Sequence, residues 1–153
     1  MDKSMSELND YKFEHCQPTI EHFLTEFKGK DVKIYTPRGS EASNENIDFA
    51  NWSKSFFKSV VYANPRFWYV DGNKAHIAYI NFNGKPYELL KYLCDAFDYL
   101  KTGGILICNH FYENCPNDDF EQNPRYGLDA FAFVTQYRQD ILYKGNQIII
   151  KKL

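Results

Sequence analysis

Ile105-Leu106-Ile107-Cys108 is apolar at every position. A strand sends alternate side chains to opposite faces, so a run without a polar position must be covered on both sides. One chain achieves this by placing a parallel-type strand inside a sheet and laying helices against it. The flanking sequence fits. Leu90, Leu93, Phe97 and Leu100 recur at helical spacing and predict a helix over 87–101, ended by Gly103-Gly104. Beyond the strand, 109–125 reads as a long loop holding Glu113, Asp118, Asp119 and Glu121, and a helix is expected over 126–139. Ile141-Leu142-Tyr143 and Gln147-Ile148-Ile149-Ile150 then flank a Lys144-Gly145-Asn146 turn and predict a hairpin. The expected fold is α/β, a mixed sheet of five or six strands with flanking helices and a C-terminal antiparallel hairpin.

The first half carries weaker signals. Ile20, Phe23, Leu24 and Phe27 predict a helix over 19–28 with Gly29 as its C-cap, and Val32–Tyr35 predicts a strand stopped by Pro37. Residues 37–47 read as a polar loop, and Phe49, Trp52, Phe56 and Val60 predict one helix over 49–62. Phe67–Val70 and His76–Phe82 are β-prone runs on either side of Asp71-Gly72, which predicts a second hairpin. Residues 1–10 are polar and expected to be a flexible N-terminus, with 11–153 forming a single domain.

Charge and composition exclude several classes. A formal net charge of −2 with no basic stripe argues against nucleic acid as a partner. No apolar run approaches the ~20 residues that span a bilayer, so no membrane association is expected. The opening MDKSMSELND lacks the order of a secretory signal, which points to the cytoplasm and to reduced Cys16, Cys94, Cys108 and Cys115. Asn51-Trp52-Ser53 is then a chance match to a glycosylation site, and Cys94 reads as a core position of its helix.

Tyr99-Leu100-Lys101-Thr102-Gly103-Gly104-Ile105-Leu106-Ile107 resembles the helix-to-fifth-strand junction of class I S-adenosylmethionine-dependent methyltransferases. Asp129 to Tyr137 and Ile141 to Lys152 are similar to the last helix and hairpin of small-molecule and sugar O-methyltransferases. Phe67-Trp68-Tyr69-Val70-Asp71-Gly72 resembles the fourth strand, which commonly ends in Ile-Asp-Gly, and Val32 to Ser40 resembles the third strand more loosely. The resemblance implies a truncated Rossmann-like scaffold, the C-terminal half of that fold without its cofactor-binding half. That family holds its cofactor with a glycine-rich turn after the first strand and an acidic residue after the second. Thr36-Pro37-Arg38-Gly39-Ser40 is the only early strand-loop candidate and has one glycine.

In metal-dependent relatives, the resemblance implies a cation held by the aspartate of Ile-Asp-Gly and by paired aspartates after the fifth strand, with a base just beyond the first. Asp71 is the one acid retained; Asn73 stands at the base position and Asn109-His110 replaces the pair. Asp71, Asn73 and His110 are the candidate catalytic residues, and Asp71, Asn109 and His110 the candidate ligands. On residue type alone, Asp71 also reads as a turn residue and His110 as a loop residue. Neutral Asn109 and soft-metal-preferring His110 suit Mg²⁺ poorly, so neither metal nor cofactor is expected, with S-adenosylmethionine required if the family activity is retained. The expected function is a non-catalytic structural or regulatory binding protein. The alternative is an active O-methyltransferase whose cofactor site another chain completes. Without its first two strands the sheet would have an open edge, to be covered by residues 75–82, by a protein partner or across a homodimer.

Overall fold

The computed structural model describes residues 13–36, 44–63, 73–81, 85–109, 123, 125–145 and 147–153, with side chains in the second segment from residue 47. Helix α1 (Phe13–Phe23) is followed by a 3₁₀ turn (Thr25–Phe27) and strand β1 (Asp31–Tyr35). Next come α2 (Asn44–Phe56), β2 (Ser59–Tyr62) and β3 (Ala75–Ile80). The chain ends with α3 (Pro86–Tyr99), β4 (Leu100–Cys108), α4 (Arg125–Val134), β5 (Gln139–Lys144) and β6 (Ile148–Lys152). The described strands form one six-stranded sheet in the order β2-β1-β3-β4-β6-β5. β2, β1, β3 and β4 run parallel, and β6 is antiparallel to both β4 and β5. The mixed sheet and terminal hairpin expected from the sequence are both present.

The direction of each crossover explains the layering. The chain leaves β1 toward one edge to make β2, but leaves β3 toward the other to make β4. Right-handed crossovers in opposite directions put their helices on opposite faces. Phe49 and Trp52 of α2 accordingly pack with Phe13 and Ile20 of α1 against Ile34, Ile77, Ile105 and Ile149. Leu89, Leu93 and Phe97 of α3 pack with Leu128 and Phe131 of α4 against Ala78, Ile80, Leu106 and Ile150. Along β4, Ile105 and Ile107 belong to the first layer while Leu106 and Cys108 belong to the second. This is the two-sided burial that the all-apolar run demanded.

Polar contacts fix the helices. Glu21 accepts a hydrogen bond from Trp52 Nε1 (2.9 Å), which ties α1 to α2, and one from Gln17 Nε2 (3.0 Å) within α1; the two hold its carboxyl below the ordinary range. Lys152 Nζ donates to the carbonyls of Phe97 (2.7 Å) and Leu100 (2.9 Å), placing a cation on the acceptor-rich end of α3. Gly103, at φ +84°, takes a left-handed conformation that side chains disfavour, within the stretch where β4 shifts register against β3.

Four expectations change. α1 starts before the predicted residue 19 and runs through Pro18; the 3₁₀ turn separates it from Gly29, whose N–H reaches Phe56 O at 3.0 Å. The single helix over 49–62 is instead α2 followed by β2, because Val60, Val61 and Tyr62 join the β1 ladder. The Asp71-Gly72 turn lies outside the described residues; β3, its expected second strand, has β1 on one side and β4 on the other, both parallel. Residues 75–80 are thus an interior strand and not an edge cover or dimer seam, with β1 and β4 as their neighbours. The run 67–70 lies outside the described residues. Cys94 is exposed, because α3 buries Leu89, Leu93, Ala96 and Phe97 and position 94 falls off that stripe.

His76 connects β1 to β3 with its side chain. Its Nδ1 accepts the Lys33 backbone N–H at 2.9 Å, which requires a neutral ring nitrogen. Burial, then the Lys101 and Lys33 cations, lower its pKa, so the unfolded chain takes up a proton before the folded one. Stability from this contact is full above the unfolded value near 6.5 and falls as pH drops through the lower folded value. Urea unfolding at pH 7.5 and 5.5 is therefore expected to show a loss on acidification that His76→Gln reduces; an unchanged pH dependence in that variant would contradict the assignment.

Candidate functional site

In an open parallel sheet, ligands bind beyond the carboxyl ends of strands, where the strand order reverses. That reversal falls between β1 and β3: β1 has β2 on its other side, and the chain returns past it to form β3. β1 and β2 thereby take the first and second places of a doubly wound sheet. Ile34 pairs with both Tyr62 and Ile77, and the Ala63 N–H extends the outer ladder to Ile34 O at 2.8 Å. On the α3 face of the sheet the Tyr35 and Tyr99 rings meet edge-on at 4.6 Å, and burial raises the phenol pKa of both.

On the other side of the reversal, Asn81 follows β3 and Asn109 follows β4. Ile80 pairs with Cys108, so the two asparagines stand next to each other on adjacent strands and share a face. The Asn109 N–H also donates to Ile80 O at 2.8 Å. The Asn109 side chain is 2% exposed and Gln147, entering β6, is 1% exposed. Gln147 Nε2 donates to Asn109 Oδ1 at 2.8 Å, and Asn109 Nδ2 donates to Tyr79 Oη. Tyr79 is itself held flat against Phe49 of α2, ring centroids 3.8 Å apart. Gln147 Oε1 is buried with no hydrogen-bond partner.

The sequence-predicted residues do not all meet here. Asn109 lies at the carboxyl end of β4, where expected. Asn73 lies before the amino end of β3, its Oδ1 accepting from Lys33 Nζ at 3.4 Å. The length of β3 separates the two, on the order of 20 Å at ~3.3 Å per residue. Asp71 and His110 lie outside the described residues, as do Cys115 and the acidic residues of the 109–125 loop. Sequence reasoning missed Asn81, Tyr79 and Gln147. The signal for Asn81 was an apolar run, Ile77-Ala78-Tyr79-Ile80, ending in a polar residue; the Val70-Asp71-Gly72 match drew attention to the segment before it. Cys108 is no nucleophile: it is fully buried, and burial pushes its thiol up to about 12.

A parallel sheet with helices on both faces, closed by an antiparallel hairpin, defines an α/β domain of Rossmann-like architecture. Its structural neighbours are methyltransferases, and the chain has the fold of that class. The MycE methyltransferase of the mycinamycin biosynthetic pathway, solved with Mg, SAH and mycinamycin VI, superposes with a TM-score of 0.65 at 11% identity, over 99% of this chain and 55% of that one. A second MycE structure, with Mg and SAH, gives 0.62 at 12% identity and the same coverage. A putative O-methyltransferase from Klebsiella pneumoniae gives 0.49 at 9% identity, covering 99% of this chain and 81% of that one. The chain spans little more than half the length of MycE. No protein-family model matches it, and no curated protein matches it in sequence.

The residues present do not fit the groups this fold implies. The sequence after β1 reads Thr36-Pro37-Arg38-Gly39-Ser40, with one glycine where this fold has a glycine-rich turn; residues 37–43 lie outside the described residues. No Asp or Glu occurs from Ser59 to Val70, the stretch that forms and follows β2; Asp71 comes next and lies outside the described residues. For a hard cation the strand ends offer amides, and the Asn109 oxygen is already an acceptor for Gln147. Among the described residues no group of three His, Cys, Asp or Glu side chains could hold a metal. No described helix is long and apolar enough to cross a membrane.

Proposed function

We propose that this chain is a methyltransferase-fold domain that works without catalysis, as a structural or regulatory binding protein. The observation that carries this reading is the chemistry at the strand-order reversal. β1 and β2 occupy the places from which a glycine-rich turn and an acidic residue would reach a nucleoside cofactor, and their sequences supply neither. The carboxyl ends of β3 and β4 carry instead the buried amides Asn81 and Asn109, groups that hydrogen-bond but are poor acids and bases at neutral pH.

A partner chain that completes the cofactor site is the second reading. β2 is an edge strand of the described sheet, with Val61 58% and Tyr62 51% exposed, beside the position where the missing acid would act. Edge strands with open backbone groups and apolar side chains accept further strands.

Calorimetric titration of the purified chain with S-adenosylmethionine and S-adenosylhomocysteine tests the proposal. No heat of binding is expected up to millimolar ligand. Micromolar affinity for either would overturn it. Binding that arises only when another chain is co-purified would establish the second reading.

A further inference from the structure

We infer that the Tyr79–Asn109–Gln147 chain is a hydrogen-bonded lock at the strand ends where carboxylates would form a divalent-cation site, and that amide-to-carboxylate exchange at Asn81 and Asn109 turns it into one. This goes beyond the reading above, because the lock concerns cations and not nucleosides. Asn81 and Asn109 leave adjacent parallel strands one step past the Ile80–Cys108 pair, on the same face. Two oxygen ligands at that spacing would converge on one ion. In the native chain both groups are uncharged, Asn109 Oδ1 already accepts from Gln147 and Asn109 Nδ2 donates to Tyr79, so an N–H dipole points at the Asn109 oxygen a cation would use. The three residues are buried to within 2% of full enclosure, so the lock is not a transient surface arrangement.

The same geometry makes the exchange feasible. Asp at 109 has the shape of Asn, with oxygen in place of Nδ2. The Gln147 amide still donates to one oxygen, and the Tyr79 hydroxyl can turn its proton toward the other. A second carboxylate at 81 supplies the charge density that hard cations require. Without metal the two neighbouring buried carboxylates repel each other and resist ionisation.

Thermal unfolding of wild type and Asn81→Asp/Asn109→Asp at pH 7.5, with EDTA and with millimolar MnCl₂ or MgCl₂, tests the inference. Wild type is expected to melt within about 1 °C in all conditions. The double variant is expected to melt lower in EDTA and to gain more than about 4 °C with Mn²⁺, as ligand-linked stabilisation in a chain of this size allows. If the variant is unfolded in EDTA, circular dichroism reads the same question: recovery of the folded signal with Mn²⁺ supports the inference and its absence overturns it. Metal-dependent melting of wild type, or a folded double variant blind to both cations, also overturns it. The titration contains no nucleoside, so its failure is separate from failure of the proposed function.

Discussion

Gly127→Ala is expected to cost about 3 kcal/mol, the upper range for forced overpacking, and roughly 6–12 °C in melting temperature for a chain of this size. On an exposed helix the same change would stabilise by about 1 kcal/mol, since alanine is the better helix former. Here the sign reverses because α4 crosses α3 at this residue. A methyl group on Gly127 would overlap the Pro86 carbonyl oxygen, with the Pro86 carbonyl carbon at 2.9 Å and the Leu90 nitrogen at 3.2 Å. All three are backbone atoms at the start of α3, so no rotamer change relieves the overlap. The helices would have to separate, loosening Phe131 from Phe97, whose rings meet edge-on at 5.6 Å. Differential scanning calorimetry checks this; a variant that melts at or above wild type would mean the two helices are not packed as closely as described.

Much of the second half was legible because its signals are local. Leu90, Leu93, Phe97 and Leu100 repeat at helical spacing, although Leu89 and not Leu90 is the fully buried one, and the turn at 144–146 lies between two β-prone runs, so each element declares itself within a dozen residues. The first half depends on pairing across the sheet. Val60 continues the spacing of Trp52 and Phe56, and a helix over 49–62 follows from periodicity alone. Only the ladder to Asp31–Ile34 makes 59–62 a strand, and its β-branched Val60 and Val61 were the available warning. Asp71-Gly72 is a strong hairpin signal, but Ile77 and Ala78 are claimed on both sides by β1 and β4, contacts more than twenty residues distant. The site was half legible for the same reason. Asn109 follows a strand that announces itself; Asn81 could be found only once β3 was known to lie beside β4.

Asn109→Ala is the second large effect expected, about 2–4 kcal/mol. It removes one side chain and two hydrogen bonds: the Gln147 amide loses its acceptor and the Tyr79 hydroxyl loses a donor, and a buried polar group that loses its partner costs about 1–3 kcal/mol. Asn81→Ala, close by in the sheet, is expected to cost less, because the connection between β4 and β6 does not pass through it. A purely packing role for Asn109 would give a different pattern from a lock. If the side chain only fills space, the costs of Asn109→Ala and Tyr79→Phe add. If the hydrogen bonds act as a unit, the double variant is less destabilised than the sum, by at least about 0.5 kcal/mol, since each single change already breaks the same link. Urea unfolding of the four proteins in this cycle decides between them. Simple additivity would reduce the lock to three separate buried side chains and remove the structural reason why the strand ends of this methyltransferase fold hold together through neutral groups.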